Sequence, residues 1–440
     1  MMRFFLKGLL ISATSFLLLT GCKPAEKALS VTTAAAEAIN FNEVERIEKA
    51  LSSDEMRGRK TFTPDIERAA DFIAAEFKKV GLQTLNNSGS YRQEFSMIRT
   101  KLISASVQFD SISIDQKNII IVTSQPQLKI NHSSGYEKAF IKKGPDLQSE
   151  ARKYVRSKKN FLVLIDKSFA NSFGSLSRFK SSIFKSNSSV IFILSDIDPV
   201  SWSLDAAHEI TEQKMANVAG ILPGKSRIDE VVIFSGHYDH LGIGRPVNGD
   251  SIYNGANDDA AGTTGVIMLT KYFKQINNNE RTILFVAFTA EEIGGLGSQY
   301  FSSQIEPEKV IAMFNIEMIG TESKWGKNSA YITGYEKTNM GEILVKNLQG
   351  TGFTFYPDPY TQEQLFYRSD NASLAKLGVP AHTISTSKMD IEPHYHKPTD
   401  HFENLDIENM TQIIKAIALS SKSIIAGKET PTRIKTEELR

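Results

Sequence analysis

Histidine and acidic residues occur in short clusters along the second half of the chain. Imidazole and carboxylate groups are the ligands that zinc prefers in proteins, and a carboxylate beside a metal ion can also accept a proton. Taken singly, each cluster has a simpler explanation, because adjacent acids can cap a helix and a lone histidine is usually structural. In chain order, the clusters are His237-Tyr-Asp239-His240, Asn257-Asp258-Asp259, Glu291-Glu292, Glu317 and Tyr395-His396.

Compact apolar runs stand next to these clusters, at residues 231–234, 282–288, 310–316 and 380–384. Such uninterrupted runs are typical of strands buried on both faces of a parallel sheet. A helical pattern lies between the first two runs, with apolar residues at Val266, Leu269, Phe273 and Ile276. The alternation predicts an α/β layered domain with a mostly parallel sheet. Because ligands bind at the carboxyl ends of strands in such sheets, we expect the clusters to converge on one crevice.

The ordered set of motifs resembles the zinc exopeptidases of the aminopeptidase S and glutamate carboxypeptidase II family. The resemblance covers roughly residues 213–425 and the helices at 42–80. It implies a three-layer α/β zinc-exopeptidase fold of the phosphorylase/hydrolase-like type, with a mostly parallel mixed central sheet. The matching motifs are Met215-Ala-Asn217-Val-Ala-Gly220, His237-Tyr-Asp239, Gly255-Ala-Asn-Asp258-Asp-Ala-Ala-Gly262, Ala290-Glu291-Glu292-x-Gly294, Asn315-Ile-Glu317-Met-Ile-Gly320 and Tyr395-His396-Lys-Pro-Thr-Asp400.

The same resemblance implies a centre of two zinc ions. Asp258 is expected to bridge both ions, with His237 and Glu317 on one and Glu292 and His396 on the other. Cobalt or manganese could substitute for zinc in a site of this ligand type. Two ions at such a spacing can hold a bridging water and polarise a scissile carbonyl.

Further roles follow for residues beside the expected ligands. Glu291 would be the general base, taking a proton from the bridging water and passing it to the leaving amine. Asp239 could orient the imidazole of the nearby His237, and Tyr395 resembles the tyrosine that steadies the oxyanion in some members. Arg368 and Asp370, in a segment that resembles one beside the family cleft, could touch substrate or only support the structure.

Glu317 departs from the family pattern, since many members have Asp at the equivalent position. Its extra methylene still presents a carboxylate. We therefore expect a retained ligand with altered reach or metal preference, rather than loss of the second metal.

The other histidines are weaker candidates for metal binding. His394 and His401 flank His396 and could be ligands, but only His396 has the Tyr-His arrangement with Asp400 downstream. His240 is expected to be a cleft residue and not a ligand. The expectation for His382 is a satisfied histidine within a strand, and His132 and His208 lie in the predicted insert with no chemistry expected.

Residues 100–212 differ in character, with short β-rich runs separated by stretches rich in Ser, Lys and Asn. Relatives often carry a protease-associated domain at this place, so we predict an inserted β-rich domain of that type. Before it, a helix is predicted at 64–80, where Thr63 can cap the start and Gly81 can end it. The predicted division is signal peptide 1–21, tether 22–40, N-terminal helical part of the peptidase domain 41–99, insert 100–212, catalytic domain 213–427 and C-terminal tail 428–440.

The start of the chain resembles a bacterial lipoprotein signal. Arg3 and Lys7 precede an apolar stretch at 9–19, which ends in Leu19-Thr20-Gly21-Cys22. Cys22 is the only cysteine in the 440 residues, which excludes an intramolecular disulfide and a thiolate metal site. We expect lipidation of Cys22 and a membrane-anchored location in a bacterial cell envelope, on the periplasmic face or at the cell surface. An ordinary secretory signal with a chance cysteine is the alternative.

The sequence predicts a zinc-dependent exopeptidase that removes N-terminal residues from peptide substrates. A carboxypeptidase would need a cationic group for the C-terminal carboxylate, and Arg368 is the candidate. A glutaminyl-cyclase-like acyl transferase would use one zinc, which the presence of both His237 and Glu317 disfavours. A catalytically silent surface binding protein is disfavoured because each ligand position keeps a donor and Glu291 is present. A net charge of +1 gives no reason to expect a nucleic-acid partner.

Overall fold

The secondary structure is taken from a computed structural model, which describes residues 38–180 and 183–440. The predicted signal peptide, Cys22 and nearly all of the tether lie outside these residues. None of the helices in the described ranges has the length and apolar character needed to cross a membrane. The α-helices are α1 Phe41–Leu51, α2 Pro64–Val80, α3 Leu147–Arg156, α4 Ala170–Phe173, α5 Ala261–Ile276, α6 Leu296–Ser302, α7 Met340–Leu348, α8 Asn371–Ala375, α9 Ile407–Ser420 and α10 Lys422–Ile425.

The strands are β1 Arg92–Phe109, β2 Ile112–Ile114, β3 Ile119–Val122, β4 Gln127–Asn131, β5 Glu137–Ile141, β6 Phe161–Ile165, β7 Ile183–Phe184, β8 Val190–Leu194, β9 Trp202–Leu222, β10 Arg227–His237, β11 Gly242–Val247, β12 Asp250–Tyr253, β13 Arg281–Phe288, β14 Val310–Ile316, β15 Ser329–Ile332, β16 Thr354–Pro357 and β17 Ala381–Ser385. Most of them belong to one mixed sheet, in the order β16-β15-β17-β14-β10-β13-β9-β1-β2.

The centre of this sheet is parallel, as the apolar runs predict. Strands β17, β14, β10 and β13 run parallel to one another, whereas β15 pairs with β17 and β9 pairs with β13 in the antiparallel direction. Side chains alternate between two apolar cores: Val232 and Phe234 face the core that contains α1, α2, α5, α7 and α9, and Ile233 faces the core that contains α6 and α8. Helices on both faces make three layers, so the predicted α/β fold class is confirmed.

The predicted elements coincide closely with the observed ones. Helix α2 spans the predicted residues; the side chain of Thr63 accepts a hydrogen bond from the N–H of Asp65, and Gly81 ends the helix with φ 73°. The strand predicted at 231–234 extends over Arg227–His237, which places His237 at the strand's last residue. Strand β17 is shifted by one residue from the predicted run.

Strands β1 and β9 form an antiparallel ribbon that runs from the catalytic sheet into the insert. Arg92 pairs with Val218 at one end and Phe109 with Trp202 at the other. In the insert, a four-stranded sheet in the order β3-β8-β6-β5 packs one face on this ribbon and the other on α3 and α4. Residues 100 and 212, the predicted limits of the insert, lie inside these two strands, so no strand ends at either limit. The division into domains stays a prediction.

Candidate metal centre

Four of the five chemistry-bearing clusters lie at the carboxyl edge of the parallel strands. His237 ends β10, the turn Ala256–Ala260 leads into α5, the glutamate pair 291–292 follows β13, and Glu317 directly follows β14. His396 comes from the long loop after β17 and reaches the same place. The structure therefore brings together all the residues that the sequence predicts as ligands.

A first group of ligand atoms surrounds the imidazole of His237. Its Nε2 lies 3.2 Å from Oδ1 of Asp258 and 3.2 Å from Oε1 of Glu317. These atoms lie within 4.8 Å of one another. One nitrogen and two carboxylate oxygens at this spacing form a suitable set for a divalent transition metal.

A second group lies on the other side of Asp258. His396 Nε2 is 3.3 Å from Oδ2 of Asp258 and 3.2 Å from Oε2 of Glu292. The two carboxylate oxygens of Asp258 thus face different groups, as a bridging ligand requires.

His240, which the sequence predicts to be a cleft residue and not a ligand, lies with this second group. It is 1% exposed, and its Nδ1 lies 2.6 Å from Oε1 of Glu292 and 3.9 Å from Oδ2 of Asp258. With those two acids it forms a set of possible metal ligands. The sequence signal for it was a second histidine three residues after the first, at the end of the same strand.

Several candidate ligand atoms of the second group are buried and have no hydrogen-bond partner among the described residues. Asp258 Oδ2, Glu292 Oε1 and both ring nitrogens of His240 share this state. Leaving such groups unsatisfied in the interior costs about 1–3 kcal/mol each. A metal ion would satisfy the atoms that converge, so the residues fit the metal that the sequence predicts.

Backbone hydrogen bonds fix the bridging residue Asp258. The carboxylate of Asp400 accepts from the N–H of Asn257 at 2.8 Å and from that of Asp258 at 3.0 Å. Asn257 accepts in turn from the N–H of Gly320 at 2.8 Å. The Asp400 of the last motif is therefore a support for the turn that carries Asp258, a role that the motif alone did not reveal.

Asp239 supports the site in a different manner from the one predicted. The Nδ1 of His237 lies 3.0 Å from the backbone carbonyl oxygen of Asp239 but 3.7 Å from its carboxylate. That carboxylate accepts instead from the N–H of Glu291 at 3.0 Å and from Thr61 at 3.1 Å. The backbone of Asp239 orients the imidazole, and its side chain holds the loop that carries the general-base candidate.

Glu291 lies against the first group and faces the cleft. Its Oε2 is 4.0 Å from Nε2 of His237. Burial raises the pKa of Glu291 well above the ordinary carboxyl value, and the nearby charges of Glu317 and Asp370 add to this effect. A carboxyl group with a raised pKa at the edge of a cleft can take up and release a proton.

A cleft opens beside these residues, with apolar and polar walls. Tyr395 stacks on His396 with ring centroids 3.9 Å apart, and its hydroxyl lies 3.5 Å from Nη2 of Arg368. The lining side chains are Asp258, Glu291, Glu317, Met318, Tyr331, Thr333, Leu365, Arg368, Ser369, Thr383, Ser385, Met389, Tyr395 and His396.

Arg368 and Asp370, the two candidates for substrate contact, lie in different environments. Arg368 lines the cleft and pairs with Glu363 at 3.2 Å. Asp370 is 1% exposed and does not line the cleft, and burial raises its pKa to about 7. Its position fits the supporting role that the sequence left open, and not contact with substrate.

Ser369 was missed by sequence reasoning. Its hydroxyl donates to Glu317 and accepts from Asn315 Nδ2 at 2.7 Å. A serine beside an arginine carries no spacing signal of its own, so only the fold reveals this contact.

The remaining histidines in the catalytic part have partners outside the centre. His382 is buried and hydrogen-bonded to Thr338 and to the carbonyl of Thr333, and burial lowers its pKa to about 4. His394 contacts Thr399, and His401 lies 3.1 Å from Asp250. In the insert, His132 is exposed and His208 is buried.

Comparison with known proteins agrees with this geometry. Residues 217–420 match the family model of peptidase family M28. Aminopeptidase YwaD of Bacillus subtilis is 25% identical over 246 residues, which are 52% of this chain and 48% of that protein. A probable leucine aminopeptidase of Trichophyton verrucosum is 27% identical over 209 residues, covering 45% of this chain and 54% of that protein. The chain therefore matches about half the length of these relatives.

Two solved structures share the fold. A peptidase M28 precursor from Shewanella amazonensis superposes with a TM-score of 0.53 at 17% identity, covering 92% of this chain and 98% of that one. A zinc aminopeptidase of Bacillus subtilis superposes with a TM-score of 0.52 at 17% identity, covering 91% and 97%.

Proposed function

Because this chain belongs to peptidase family M28, through its residues 217–420, we propose that it is a zinc-dependent aminopeptidase that removes single residues from the N-termini of peptides. The observation that carries the proposal is the position of Asp258, whose two carboxylate oxygens face two separate sets of ligands. The named aminopeptidases among its relatives support the same activity.

We propose two zinc ions for this centre. His237, Asp258 and Glu317 would hold one, and Asp258, Glu292 and His396 the other. When bound, the zinc ions supply Lewis-acid polarisation of the scissile carbonyl and lower the pKa of water.

Glu291 is the proposed proton carrier. It accepts a proton from the attacking water as the water oxygen bonds to the carbonyl carbon. It then delivers that proton to the nitrogen when the C–N bond breaks, so that the leaving peptide departs as a neutral amine. Burial first, and then the nearby charges of Glu317 and Asp370, raise the pKa of Glu291, which makes it a stronger proton acceptor.

Tyr395 is the proposed donor to the developing oxyanion. Burial raises the pKa of Tyr395, and the charges of Asp258 and Glu317 raise it further, so its hydroxyl keeps its proton at neutral pH. A hydroxyl fixed at the cleft wall can donate a hydrogen bond to negative charge that develops in the transition state.

The cleft walls favour an apolar first residue. Met318, Tyr331, Leu365 and Met389 line the cleft beside the metal-binding acids, and apolar walls bind apolar side chains by excluding water. The free amine of a peptide is a cation, and the carboxylates around Asp258 would attract it.

A carboxypeptidase is the second candidate, and Arg368 is the observation in its favour. Arg368 lines the cleft and could pair with a terminal carboxylate. Its existing ion pair with Glu363 reduces this attraction.

Peptides blocked at one end or the other distinguish the two activities. We expect a peptide such as Leu-Gly-Gly amide to lose its first residue, and its N-acetylated counterpart to stay intact. A chelator should stop the reaction and added zinc should restore it. Release of C-terminal residues from the acetylated, free-acid peptide would replace the proposal with the carboxypeptidase, and chelator-resistant turnover would remove both.

A lipid anchor at Cys22 is proposed separately. It is supported by the Leu19-Thr20-Gly21-Cys22 box and by the lack of any other cysteine, and it would place the enzyme at the membrane of a bacterial cell envelope. Cells fed a labelled fatty acid should label the natural protein but not Cys22→Ala. Equal labelling of both proteins would contradict the anchor.

A further inference from the structure

We propose that His240 is an additional ligand of the metal position formed by Asp258, Glu292 and His396. The inference rests on the proposed metal centre and concerns its composition. It gives the second position two imidazoles, whereas the first has one.

The position of the ring is the first argument. Nδ1 of His240 lies 2.6 Å from Oε1 of Glu292 and 3.9 Å from Oδ2 of Asp258. His396 Nε2 lies 3.3 Å and 3.2 Å from oxygens of the same two acids, and its ring centroid is 5.8 Å from that of His240. Both imidazoles therefore lie beside one pair of carboxylates.

The nature of the short contact is the second argument. Although Nδ1 of His240 and Oε1 of Glu292 are close, they are not aligned as a hydrogen bond, and both atoms are buried without another partner among the described residues. Asp258 Oδ2 is also without a hydrogen bond. Buried polar atoms are nearly always paired, so converging atoms that are left unpaired are suited to bind an ion.

The third argument is that the ring cannot turn away. A Cβ on Gly255 would lie 2.5 Å from Cγ of His240, so the backbone of Gly255, with φ 58°, packs directly against the imidazole. The guanidinium of the fully buried Arg59 fixes the backbone around the His240 ring. It donates to the carbonyl oxygens of Tyr238 at 2.8 Å and Gly255 at 2.8 Å. A side chain held so firmly, with its nitrogen directed at two carboxylates, is organised in advance for a ligand.

The chemical consequence is an unequal pair of metal positions. Among the described residues, the first position offers one nitrogen and two carboxylates, and the second offers two nitrogens and two carboxylates. Imidazole favours zinc and cobalt over magnesium or manganese. The second position should therefore be the more selective for zinc and the tighter of the two.

Metal content tests the inference without recourse to activity. Purified full-length protein is dialysed and its zinc measured by mass spectrometry, alongside His240→Ala and a control, His401→Ala, which removes a histidine that pairs with Asp250 outside the centre. We expect two zinc ions in the natural protein and in the control, and one in His240→Ala. In chelator competition, zinc affinity at the second position should fall by more than the factor of about 10–100 that is typical of residues that only orient a ligand.

His240→Cys provides a test that does not depend on losing a ligand. A thiolate at this position can still bind metal, and in the cobalt-loaded protein it should add a near-ultraviolet sulfur-to-cobalt band that the natural protein lacks. Circular dichroism confirms that the variants are folded.

The outcomes separate the two proposals. If the natural protein holds two zinc ions and His240→Ala holds both with unchanged affinity, the ligand role of His240 is wrong and the proposed function stands. If the natural protein binds no zinc at all, the proposed function itself is wrong, and this inference with it.

Discussion

The hydroxyl of Ser369 donates a hydrogen bond of 2.5 Å to Oε2 of Glu317. The other oxygen of this carboxylate lies 3.2 Å from Nε2 of His237. Ser369 thus fixes one carboxylate oxygen of Glu317, and the other oxygen faces the proposed first metal position. This arrangement accommodates the extra methylene that distinguishes Glu317 from the aspartate expected in many relatives.

Ser369→Ala should weaken metal binding at the first position. Without the hydroxyl, Glu317 loses the contact that fixes its rotamer. Removing a residue that orients a ligand in this manner typically lowers metal affinity about 10–100-fold. Chelator competition measures the loss. Ser373→Ala is the matched control, because its hydroxyl contacts Ser298 and its removal should leave affinity unchanged.

Glu317→Asp should also lower affinity, although it restores the residue found in many relatives. Shortening the side chain by one C–C bond, about 1.5 Å, leaves a carboxylate that cannot contact Ser369 and face His237 together. Metal titration of the variant measures the change. Tighter binding in the variant would show that Ser369 does not compensate for the longer side chain.

Glu291→Gln should abolish turnover while both metals stay bound. The amide cannot accept a proton, and loss of a general base costs about 10²–10⁴-fold in rate. Kinetics with an aminoacyl substrate should show the loss in kcat, with metal content equal to that of the natural protein. Loss of metal would mean that Glu291 is a ligand and that the roles of the glutamate pair are exchanged.

Arg59→Met should destabilise the protein strongly. The guanidinium is fully buried and also donates to Leu51 and Asn254, so its removal leaves carbonyl oxygens without donors at about 1–3 kcal/mol each. Urea unfolding should show a loss of about 3 kcal/mol or more. Arg57→Met, at an exposed arginine two residues away, should cost far less.

Glu48→Gln should change how stability depends on pH. Burial raises the pKa of Glu48 from 4.5 to about 8, against the lowering effects of Thr264 and Arg59. A raised folded-state pKa means that the folded protein binds more protons than the unfolded chain, so stability falls as pH rises from 4.5 to about 8.

The variant should lose this dependence, because the amide does not titrate and still offers an oxygen to Thr264. Denaturant unfolding at several pH values measures it. Equal pH slopes in both proteins would contradict the prediction.

The buried strands and the ligand clusters could be predicted because each has a local signal. Unbroken apolar runs marked the strands, and His237, Asp258 and Glu292 follow those strands in order. Arg59, Ser369 and the role of Asp400 could not be predicted, because their contacts join segments far apart in the chain. The position of His240 close to His237 is evident in the sequence, but no motif spacing marks it as a ligand. Its proposed ligand role depends on the fold, in which Gly255 packs on its ring.

The ribbon of β1 and β9 has a consequence for how this protein can be altered. Thr100 and Ile210 are paired across the ribbon. The segment between them is therefore connected to the rest of the chain at two adjacent positions, which form one rung of the ribbon. Loop-closure cost grows only with the logarithm of loop length, and a short turn could therefore join the two strands there. Exchange of the segment at that rung would shorten β1 and β9 but leave intact the parallel strands β10, β13 and β14, whose ends carry or precede the candidate metal ligands.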